Sequence, residues 1–454
     1  MRPHFFMKVI TRTTFDGSPK ELFDFYLRPG NFRRMIAPWN RVVVLSREGE
    51  EEGAETAFNV RILGLWHRWT LKRLTFSSGS SFVDVQVRGP FAFWKHTHRF
   101  LPTQEGGSIM EDEVEFHLLG GIGERWARKK IERVVKYRHE TLRADREVIL
   151  RRQSPPLRIL LSGTTGFIGS QLALFLRIAG HEVISLVRSR KMRSESTLFW
   201  DPVKGEVPKE ALEGFDAVIH LAGKNIASGR WTKKLKKELF LSRCRDTWLL
   251  SQAILRVKNP PSCFISASAV GIYGSRGDEP LTEESAVGEG FLAELSRKWE
   301  EASGALKGIG IRTVYTRFGL VISPGGGLLK RLIPSIKCGF GAILGSGKQY
   351  LSWVALDDLL YAIYHVLMEK SVRGPVNVTA PVPLRMEEFM KTLGAHMGRP
   401  VWLKVGSGLL SQLGGEMARE MVLSGQYACP MKLQEMGFIF HYPTLDRALD
   451  HYSM

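Results

Sequence analysis

The chain has 454 residues, of which 44% are hydrophobic and 24% are charged. These proportions are typical of folded globular proteins, so they exclude a disordered, collagen-like or coiled-coil chain, and the length predicts two or three domains. The 64 Lys and Arg residues exceed the 46 Asp and Glu residues and give a net charge of +18, which predicts attraction to anionic partners such as phosphates and anionic cofactors.

The four cysteines stand far apart, without a CxxC pair or a His at zinc spacing, which indicates neither a disulfide framework nor a structural metal. A reducing cytoplasm is therefore the expected location. The first letters, MRPHFFMKVI, lack the apolar stretch of a signal peptide, and no apolar segment approaches the roughly 20 residues of a membrane span. We therefore expect a cytoplasmic protein with no membrane span.

The first 150 residues predict a helix, then strands, then a long helix. Ser18, Pro19 and Glu21 form a capping box with proline at the first helical position. From about residue 42 to residue 118, short runs of alternating apolar residues separated by Gly, Ser and Pro predict an antiparallel sheet. Residues 124–150 contain no Gly or Pro and predict one long amphipathic helix. Its inward spacing runs through Ala127, Ile131, Val134, Arg138 and Leu142.

This element order resembles the START-like helix-grip fold of the SRPBCC superfamily, in which a curved sheet wraps the last helix and leaves a tunnel. The letters GPFAFWKHTHRF at residues 89–100 are similar to polyketide-cyclase-like members. The resemblance implies an α+β helix-grip domain over residues 1–150 that binds an apolar or amphipathic ligand. His96 and His98 share one face of a presumed strand and could hydrogen-bond that ligand or chelate a metal. Because no third ligand is evident, we predict no metal site.

The stretch RRQSPP at residues 151–156 predicts a linker. After it, apolar strands, glycine turns and helices alternate, which is typical of a doubly wound parallel sheet. We therefore predict a Rossmann-like α/β domain over residues 157–374 and a small C-terminal domain, on the substrate side, over residues 375–454.

The turn SGTTGFIG at residues 162–169 follows an apolar strand and precedes a helical pattern. Gly163 allows a tight turn, Gly166 allows close approach of a pyrophosphate, and Gly169 allows the helix to pack on the strand. The helix N-terminus offers free amides to the anion. We predict that a dinucleotide is bound by Gly163, Thr165, Gly166, Phe167, Ile168 and Gly169.

The next strand ends at Val187 and is followed by Arg188, where NAD-binding proteins carry an acidic residue. A guanidinium can hold a 2′-phosphate through two parallel hydrogen bonds, whereas a carboxylate would repel it. Arg188 therefore favours NADP over NAD, with a solvated basic turn as the alternative. A second turn, predicted to approach the adenine-side ribose, consists of His220, Leu221, Ala222 and Gly223, in which His220 itself is typical of a packed strand-end residue.

These two turns, SASAVGIYG at residues 266–274 and WVALDD at residues 353–358 occur in the order of the extended short-chain dehydrogenase/reductase superfamily. The phrases RWTKKLKKELFLSR, GSGKQYLSWVALDD, GPVNVTAP and FIFHYPTLDRAL are similar to its atypical epimerase-family branch. The resemblance covers essentially all of residues 157–454. It implies an NADP(H)-binding protein that moves hydride between nicotinamide and a carbonyl or sugar-like alcohol.

Redox members of the superfamily use a Tyr, a Lys four residues later, and a Ser. Ser268 stands where that Ser is expected, with a hydroxyl that caps the end of a strand as the alternative. No Tyr in this chain is followed four residues later by Lys. In the helix FLAELSRKWEEA an alignment based on Lys298 puts Glu294 at the tyrosine position, and one based on Glu300 puts Leu292 and Ser296 there. The substitute acids are Tyr273, or Glu294 if burial raises its pKa.

Arg317 ends the sixth predicted strand and, together with Gln349 and Trp353, could line a substrate pocket above the sheet. The alternative for Arg317 is a structural ion pair with Asp357 or Asp358. The His that the family usually carries in this last motif is replaced here by Ala, which removes one polar group from the region.

Two functions remain open on the residues alone. The first is an NADP(H)-dependent oxidoreductase or epimerase with a small-molecule substrate and an apolar ligand in the N-terminal domain. The second is a non-catalytic protein that holds NADP and couples its occupancy to the N-terminal pocket. The missing phenol favours the second, and the preserved Ser268 region favours the first. We expect no specific nucleic-acid partner, because the basic run KKLKK at residues 233–237 has no aromatic platform beside it, and the oligomeric state stays open.

Overall fold

The computed structural model describes residues 6–152, 154–192, 194–205 and 210–452. It divides into two compact units: unit 1 consists of the described residues up to 151 together with residues 451–452, and unit 2 consists of the described residues from 152 to 450. The division falls at the first residues of the stretch that we interpreted as a linker.

Unit 1 is an antiparallel sheet with helices. Its strands are β1 (Met7–Phe15), β2 (Val42–Glu48), β3 (Glu55–Ile62), β4 (Leu65–Ser77), β5 (Ser81–Arg88), β6 (Phe93–Pro102) and β7 (Ser108–His117). Its helices are α1 (Pro19–Tyr26), α2 (Asn31–Arg34) and α3 (Glu124–Arg151). The strand order is β1-β7-β6-β5-β4-β3-β2, and every neighbouring pair is antiparallel.

The predicted capping box and long helix are confirmed. Ser18 Oγ accepts a hydrogen bond from the Glu21 amide, and the Glu21 carboxylate accepts one from the Ser18 amide. The sequence pattern does not predict β1, because only Val9 and Phe15 of its nine residues are buried and the apolar alternation is weak. Helix α3 packs on the sheet through a cluster of apolar side chains: Val9, Val114, Phe116, Ala127, Ile131 and Val135.

Unit 2 begins with a βαβ unit and ends in a mixed region. The strands are β8 (Arg158–Ser162), β9 (Glu182–Val187), β10 (Thr197–Phe199), β11 (Ala217–His220), β12 (Cys263–Ala269), β13 (Pro280–Leu281), β14 (Arg312–Phe318), β15 (Leu320–Ser323), β16 (Ala342–Leu344), β17 (Tyr350–Leu351), β18 (Trp353–Ala355), β19 (Gly374–Val378), β20 (Leu384–Arg385), β21 (Leu403–Val405) and β22 (Tyr427–Ala428). The helices are α4 (Phe167–Ile178), α5 (Lys233–Phe240), α6 (Asp246–Ile254), α7 (Phe291–Glu301), α8 (Ala305–Gly308), α9 (Gly327–Lys337), α10 (Leu356–Met368), α11 (Met386–His396), α12 (Ser407–Ala418), α13 (Met431–Glu435) and α14 (Leu445–His451). A π-helical turn, Leu241–Arg245, joins α5 to α6.

The main sheet of unit 2 is parallel, in the order β10-β9-β8-β11-β12-β14-β19. This confirms the predicted Rossmann-like sheet. The chain moves outward from β8 in both directions, so the crevice at the carboxyl ends of β8 and β11 is the topological switch point where such sheets bind ligands. The predicted boundary at residue 374 needs correction, because β19 belongs to the sheet, which therefore extends to Val378.

The sequence analysis predicted no membrane span. The longest described helix, α3, has 28 residues. Charged side chains recur along its whole length, as the letters ERWARKKIERVVKYRHETLRADREVILR show. Among the described residues, no helix combines enough length with enough apolar character to cross a bilayer.

Candidate functional site

The crevice at the switch point is formed by two turns that touch through their backbones. Gly163 has a φ of +79°, and a Cβ atom on it would lie 2.9 Å from the carbonyl carbon of Leu221. A Cβ atom on Gly169 would lie 2.3 Å from the carbonyl oxygen of Gly163. Neither position therefore accepts a side chain, and the close packing of strand, turn and helix depends on these two glycines.

The end of α4 at this crevice is suited to an anion. Gly166 is the N-cap residue, with extended backbone, and no side chain caps the first amides of the helix. Thr165 and Gly166 are exposed, and Phe167 and Ile168 are half-buried at the helix start. Uncapped N-terminal amides and the helix dipole both attract negative charge. The residues present therefore fit the diphosphate of a dinucleotide.

Ser162 holds the second turn against the first. Its Oγ accepts hydrogen bonds from the Leu221 amide at 3.1 Å and the Ala222 amide at 3.2 Å. Its proton is then left for His220 Nδ1, at 2.8 Å. Burial lowers the pKa of His220 to about 4, so the imidazole is neutral at physiological pH and carries its proton on Nε2. His220 is thus a packed strand-end residue, fully buried beside Ser162.

Two cations lie near this crevice. Arg188 directly follows β9, is exposed, and makes no hydrogen bond or ion pair with another described residue. The second cation, Arg243, was not predicted: a Cβ atom on Gly223 would lie 3.3 Å from its Cζ. Burial lowers the pKa of Arg243 to about 10, so it stays charged, and its Nη1 is buried without a hydrogen-bond partner. Its position in the π-helical turn is a local signal, since such turns recur at functional sites.

The sheet register aligns three polar residues deeper in unit 2, since Arg317 on β14 lies opposite both Ser268 on β12 and Asn377 on β19. Ser268 Oγ donates to Glu300 Oε1 at 2.7 Å. Arg317 donates from Nε and Nη2 to the two carboxylate oxygens of Glu300, at 2.9 and 3.0 Å. Arg317 Nη1 donates to the Tyr273 hydroxyl at 2.9 Å, and that hydroxyl donates to Asn377 Oδ1 at 2.7 Å. These five side chains are called the Arg317 cluster below.

The Arg317 cluster is internally satisfied. Burial alone would lower the pKa of Arg317, but the hydrogen bonds and charge of Glu300 outweigh it and raise the pKa. Burial raises the pKa of Tyr273, which is fully buried. Its hydroxyl donates its hydrogen bond to Asn377 Oδ1. The structure therefore brings the predicted Ser268, Tyr273 and Arg317 together, but it adds Glu300 and Asn377, which sequence reasoning did not assign to the site.

Arg317 does not pair with the acidic residues considered for it. Its carboxylate partner is Glu300, on α7, and the Asp358 carboxylate instead accepts the amides of His441 and Tyr442, at 2.9 Å each. Arg317 therefore forms a structural ion pair, as the alternative interpretation of the sequence held, but its partner is Glu300 rather than Asp357 or Asp358. The spacing of residues in the sequence does not predict this ion pair, because Glu300 on α7 and Arg317 on β14 come together only when the helix packs against the sheet.

The other predicted residues lie outside the cluster. Glu294 is exposed on α7, so the burial that its role as an acid requires is missing. Trp353 is fully buried in the core, and its indole N–H donates to the Val382 carbonyl, so it does not line an open pocket. Gln349 is half-buried and donates from Nε2 to the carbonyl oxygens of Leu344 and Val422, which ties two loops together.

An open cavity of about 220 Å³ lies beside α7. Leu292, the residue that one alignment put in the tyrosine position, lines it together with Gly271, Arg419 and Glu420. The Glu420 carboxylate accepts the amides of Phe291 and Leu292 at 2.8 Å each and so caps the start of α7. Leu292 therefore places an apolar side chain on the wall of this cavity.

In unit 1, His96 and His98 have the third partner that the sequence did not reveal. His98 Nδ1 lies 2.6 Å from Asp112 Oδ1, and His96 Nε2 lies 3.4 Å from Asp112 Oδ2. The three ligand atoms lie within 4.8 Å of one another, a spacing that could hold a metal ion. His139 Nε2 is 3.2 Å from the same carboxylate. Burial would raise the pKa of Asp112, but the charges of His98 and His96 outweigh it and hold the pKa well below its ordinary value.

Two family models match separate parts of the chain. Residues 159–379 match the NAD dependent epimerase/dehydratase family, and residues 408–452 match a domain of unknown function, DUF1731. The Epimerase family protein Mb2239 of Mycobacterium bovis is 40% identical over 293 residues, which is 64% of this chain and 96% of that protein.

Solved structures are similar to this one as well, and two of them show the range of the likeness. The structure described as the nucleoside-diphosphate sugar epimerase from Corynebacterium glutamicum aligns with 98% of this chain and 90% of its own, at 29% identity and a TM-score of 0.79. The human epimerase family protein SDR39U1, crystallised with NADPH, aligns with 65% of this chain and 99% of its own, at 31% identity and a TM-score of 0.60.

Proposed function

The chain belongs to the NAD dependent epimerase/dehydratase family, and from that premise we propose that it is an NADP(H)-binding short-chain dehydrogenase/reductase acting on a carbonyl or sugar-like substrate. The observation that carries the proposal is the crevice at the switch point. Its glycines leave no room for side chains, its helix N-terminus is uncapped, and Arg188 stands unpaired beside it.

The residues of this chain divide the recognition of the cofactor among them. The first amides of α4 bind the diphosphate, Arg188 holds the 2′-phosphate, and Arg243 offers a further unpaired cation beside Gly223. When bound, the nicotinamide ring would donate or accept hydride. The presence of NADPH in the human relative supports the choice of NADP over NAD.

The substrate side is the 220 Å³ cavity beside α7. Arg419 is exposed on its wall, beside Glu289 and Glu420. The sugar-nucleotide activity in the description of the Corynebacterium glutamicum relative supports a sugar-like substrate. Ser268 orients the substrate oxygen only if its hydroxyl leaves Glu300, to which it now donates.

Binding of the two dinucleotides by titration calorimetry tests the proposal. The change Arg188→Asp should weaken NADPH binding about tenfold or more and leave NADH binding nearly unchanged, because only the 2′-phosphate loses its bidentate partner. The control is Arg256→Asp, at another exposed arginine of unit 2, which should change neither affinity. Equal affinities of the native chain for NADPH and NADH would reject the assignment of Arg188.

A second candidate function is favoured by the Arg317 cluster. Because every predicted catalytic group there is hydrogen-bonded inside the protein, the chain could hold NADP without turnover and serve as a regulatory or ligand-binding protein. An assay of NADPH oxidation with a panel of carbonyl compounds separates the two. Turnover that Ser268→Ala abolishes, with NADPH affinity retained, supports the enzyme; NADPH binding without turnover supports the second function.

We also propose that unit 1 is a START-like, helix-grip module for an apolar ligand. A cavity of about 790 Å³, lined largely by apolar and aromatic side chains such as Phe58, Trp69 and Phe91, supports this role. Its volume lies within the range of small-molecule sites.

A further inference from the structure

The cavity of unit 1 is apolar along its walls but has an uneven charge distribution. Its lining contains five cationic side chains and a single acidic one, Asp84. The five cations are Arg47, Arg61, Arg73, Lys130 and Arg138. A lining with this balance attracts an anion rather than a cation, since a low-dielectric wall strengthens the field of each unscreened charge.

Most of these cations already have a protein partner. Arg73 Nε donates to Asp84 Oδ1 at 3.0 Å, and Arg73 also pairs with Glu50. Arg47 pairs with the same Glu50. Arg61 Nε donates to the Gly64 carbonyl at 2.8 Å. These groups are therefore satisfied without a ligand and do not explain what the cavity binds.

Arg138 differs from them. It lies half-buried on α3, its Nε is buried without a hydrogen-bond acceptor, and it forms no ion pair with another described residue. The nearby carboxylate of Asp112 is already surrounded by His96, His98 and His139, at 3.4, 2.6 and 3.2 Å. An unpaired guanidinium in an apolar cavity costs free energy, and an anionic ligand group would remove that cost.

His96 is a second polar group at the same cavity. It is only 7% exposed, and its Nε2 has no hydrogen-bond partner, although it lies 3.4 Å from Asp112 Oδ2. His96 and Arg138 both line this cavity, so both side chains are available to a ligand bound in it.

We propose that this cavity binds an amphipathic carboxylate, whose acid group is held by the Arg138 guanidinium with His96 as a second contact, and whose apolar part lies along the aromatic walls. The proposal rests on the proposed function of unit 1 as an apolar-ligand module and adds the chemistry of the head group. A planar carboxylate matches the fork of an arginine, and the single unpaired guanidinium fits a ligand with one negative charge.

Titration of the full chain with three twelve-carbon probes tests the proposal: dodecanoate, dodecan-1-ol and dodecylammonium. Binding is followed by the fluorescence of Trp69 and Trp94, which line the cavity, and by calorimetry. Dodecanoate should bind about tenfold more tightly than the alcohol, and dodecylammonium more weakly than either, because only the carboxylate can accept charge-assisted hydrogen bonds from the Arg138 guanidinium.

The change Arg138→Gln should weaken dodecanoate binding about tenfold and leave the alcohol unchanged. The matched control is Arg143→Gln, at an exposed arginine of α3 outside the cavity lining, which should alter neither affinity. If the glutamine variant fails to fold, Arg138→Lys keeps the charge without the fork and should give an intermediate affinity for dodecanoate.

Three results would overturn the proposal. Equal affinities for dodecanoate and dodecan-1-ol reject the head-group assignment while leaving the apolar-ligand function intact. Binding of none of the probes rejects both. Dodecanoate binding that is lost with EDTA and restored by Zn²⁺ means that a metal on His96, His98 and Asp112, rather than Arg138, holds the acid group.

Discussion

Arg138, half-buried at the cavity of unit 1, and Arg317, buried in the Arg317 cluster of unit 2, have opposite surroundings. Arg317 makes two hydrogen bonds to the Glu300 carboxylate and a third to the Tyr273 hydroxyl. Arg138 has no acceptor for its buried Nε and no ion-pair partner among the described residues.

The difference teaches how to separate a structural charge from a binding charge. In a buried ion pair whose donors and acceptors are all hydrogen-bonded to each other, no group remains free to bind a ligand. Removing one partner leaves the other charge buried and unpaired. A cation that has no ion-pair partner and lies beside a cavity is available to bind an anionic ligand. By this criterion we propose Arg138, Arg188 and Arg243 as binding groups, whereas Arg317, which the sequence suggested for a substrate pocket, forms an internal ion pair with Glu300.

The largest effect is expected from paired substitutions of the two arginines. Arg317→Gln should lower the free energy of unfolding by about 3 to 5 kcal/mol, because it leaves the Glu300 carboxylate buried without its partner. Arg138→Gln should change it by no more than about 0.5 kcal/mol, because no internal ion pair is lost. Urea unfolding measures both.

The matched control for Arg317 is Arg276→Gln, which removes an arginine paired with Glu279 at the surface and should cost less than about 1 kcal/mol. Similar losses of stability for Arg317→Gln and Arg138→Gln would erase the contrast between the two regions.

An intermediate effect is expected from acid at the cavity. Burial lowers the pKa of His96 to about 4, below its ordinary value in the unfolded chain, so the unfolded chain binds the proton preferentially. As the pH falls from about 6.5 to about 4, His96 should therefore cost the fold up to about 3 kcal/mol. His96→Gln should remove that part of the pH dependence, as measured by unfolding of both chains across this range.

The Arg317 cluster contains no histidine and should not contribute to this loss. NMR titration of the imidazole signals, assigned by comparison with His96→Gln, gives the second measurement. A His96 signal that titrates near pH 6.5 would mean that its ring is solvated, against the burial seen here.

The smallest effect is expected at Tyr273. Tyr273→Phe removes the hydroxyl that joins Arg317 to Asn377 and should cost about 1 kcal/mol of unfolding free energy, with NADPH affinity unchanged. The control is Tyr315→Phe, at a buried tyrosine of β14 whose hydroxyl makes no hydrogen bond to another described residue. Loss of turnover in Tyr273→Phe with full stability would make Tyr273 the missing acid and would refute the closed cluster.

Much of the cofactor crevice could be predicted because its determinants are local. Gly163, Gly166 and Gly169 stand within seven consecutive residues between a strand and a helix, and the positions of the turn need only backbone space. Arg188 was predicted for the same reason, since it directly follows a strand. Arg243 was missed, because its relation to Gly223 depends on a π-helical turn that no periodicity in the sequence announces.

The polar partners in unit 1 were missed although a signal existed. On β7 the side chains of Met110, Asp112, Val114 and Phe116 alternate inward and are all fully buried. A strict count by two therefore puts Asp112 on the core face, where a carboxylate needs a partner. The inward helical spacing of α3 likewise included Arg138 among apolar residues, and that break in the pattern marks the cavity.

By itself the sequence determined most of the order of elements, β1 excepted, together with the parallel sheet, the glycine turn and the family, because each depends on neighbouring residues and on repeating periods. Only the tertiary structure decided which charges are paired. Tyr273 meets Asn377 104 residues further along the chain, and Ser268 meets Glu300 32 residues further along. Such contacts follow from strand register and helix packing. The sequence therefore identified the polar groups, but it could not distinguish those that are hydrogen-bonded inside the protein from those that are available to a ligand.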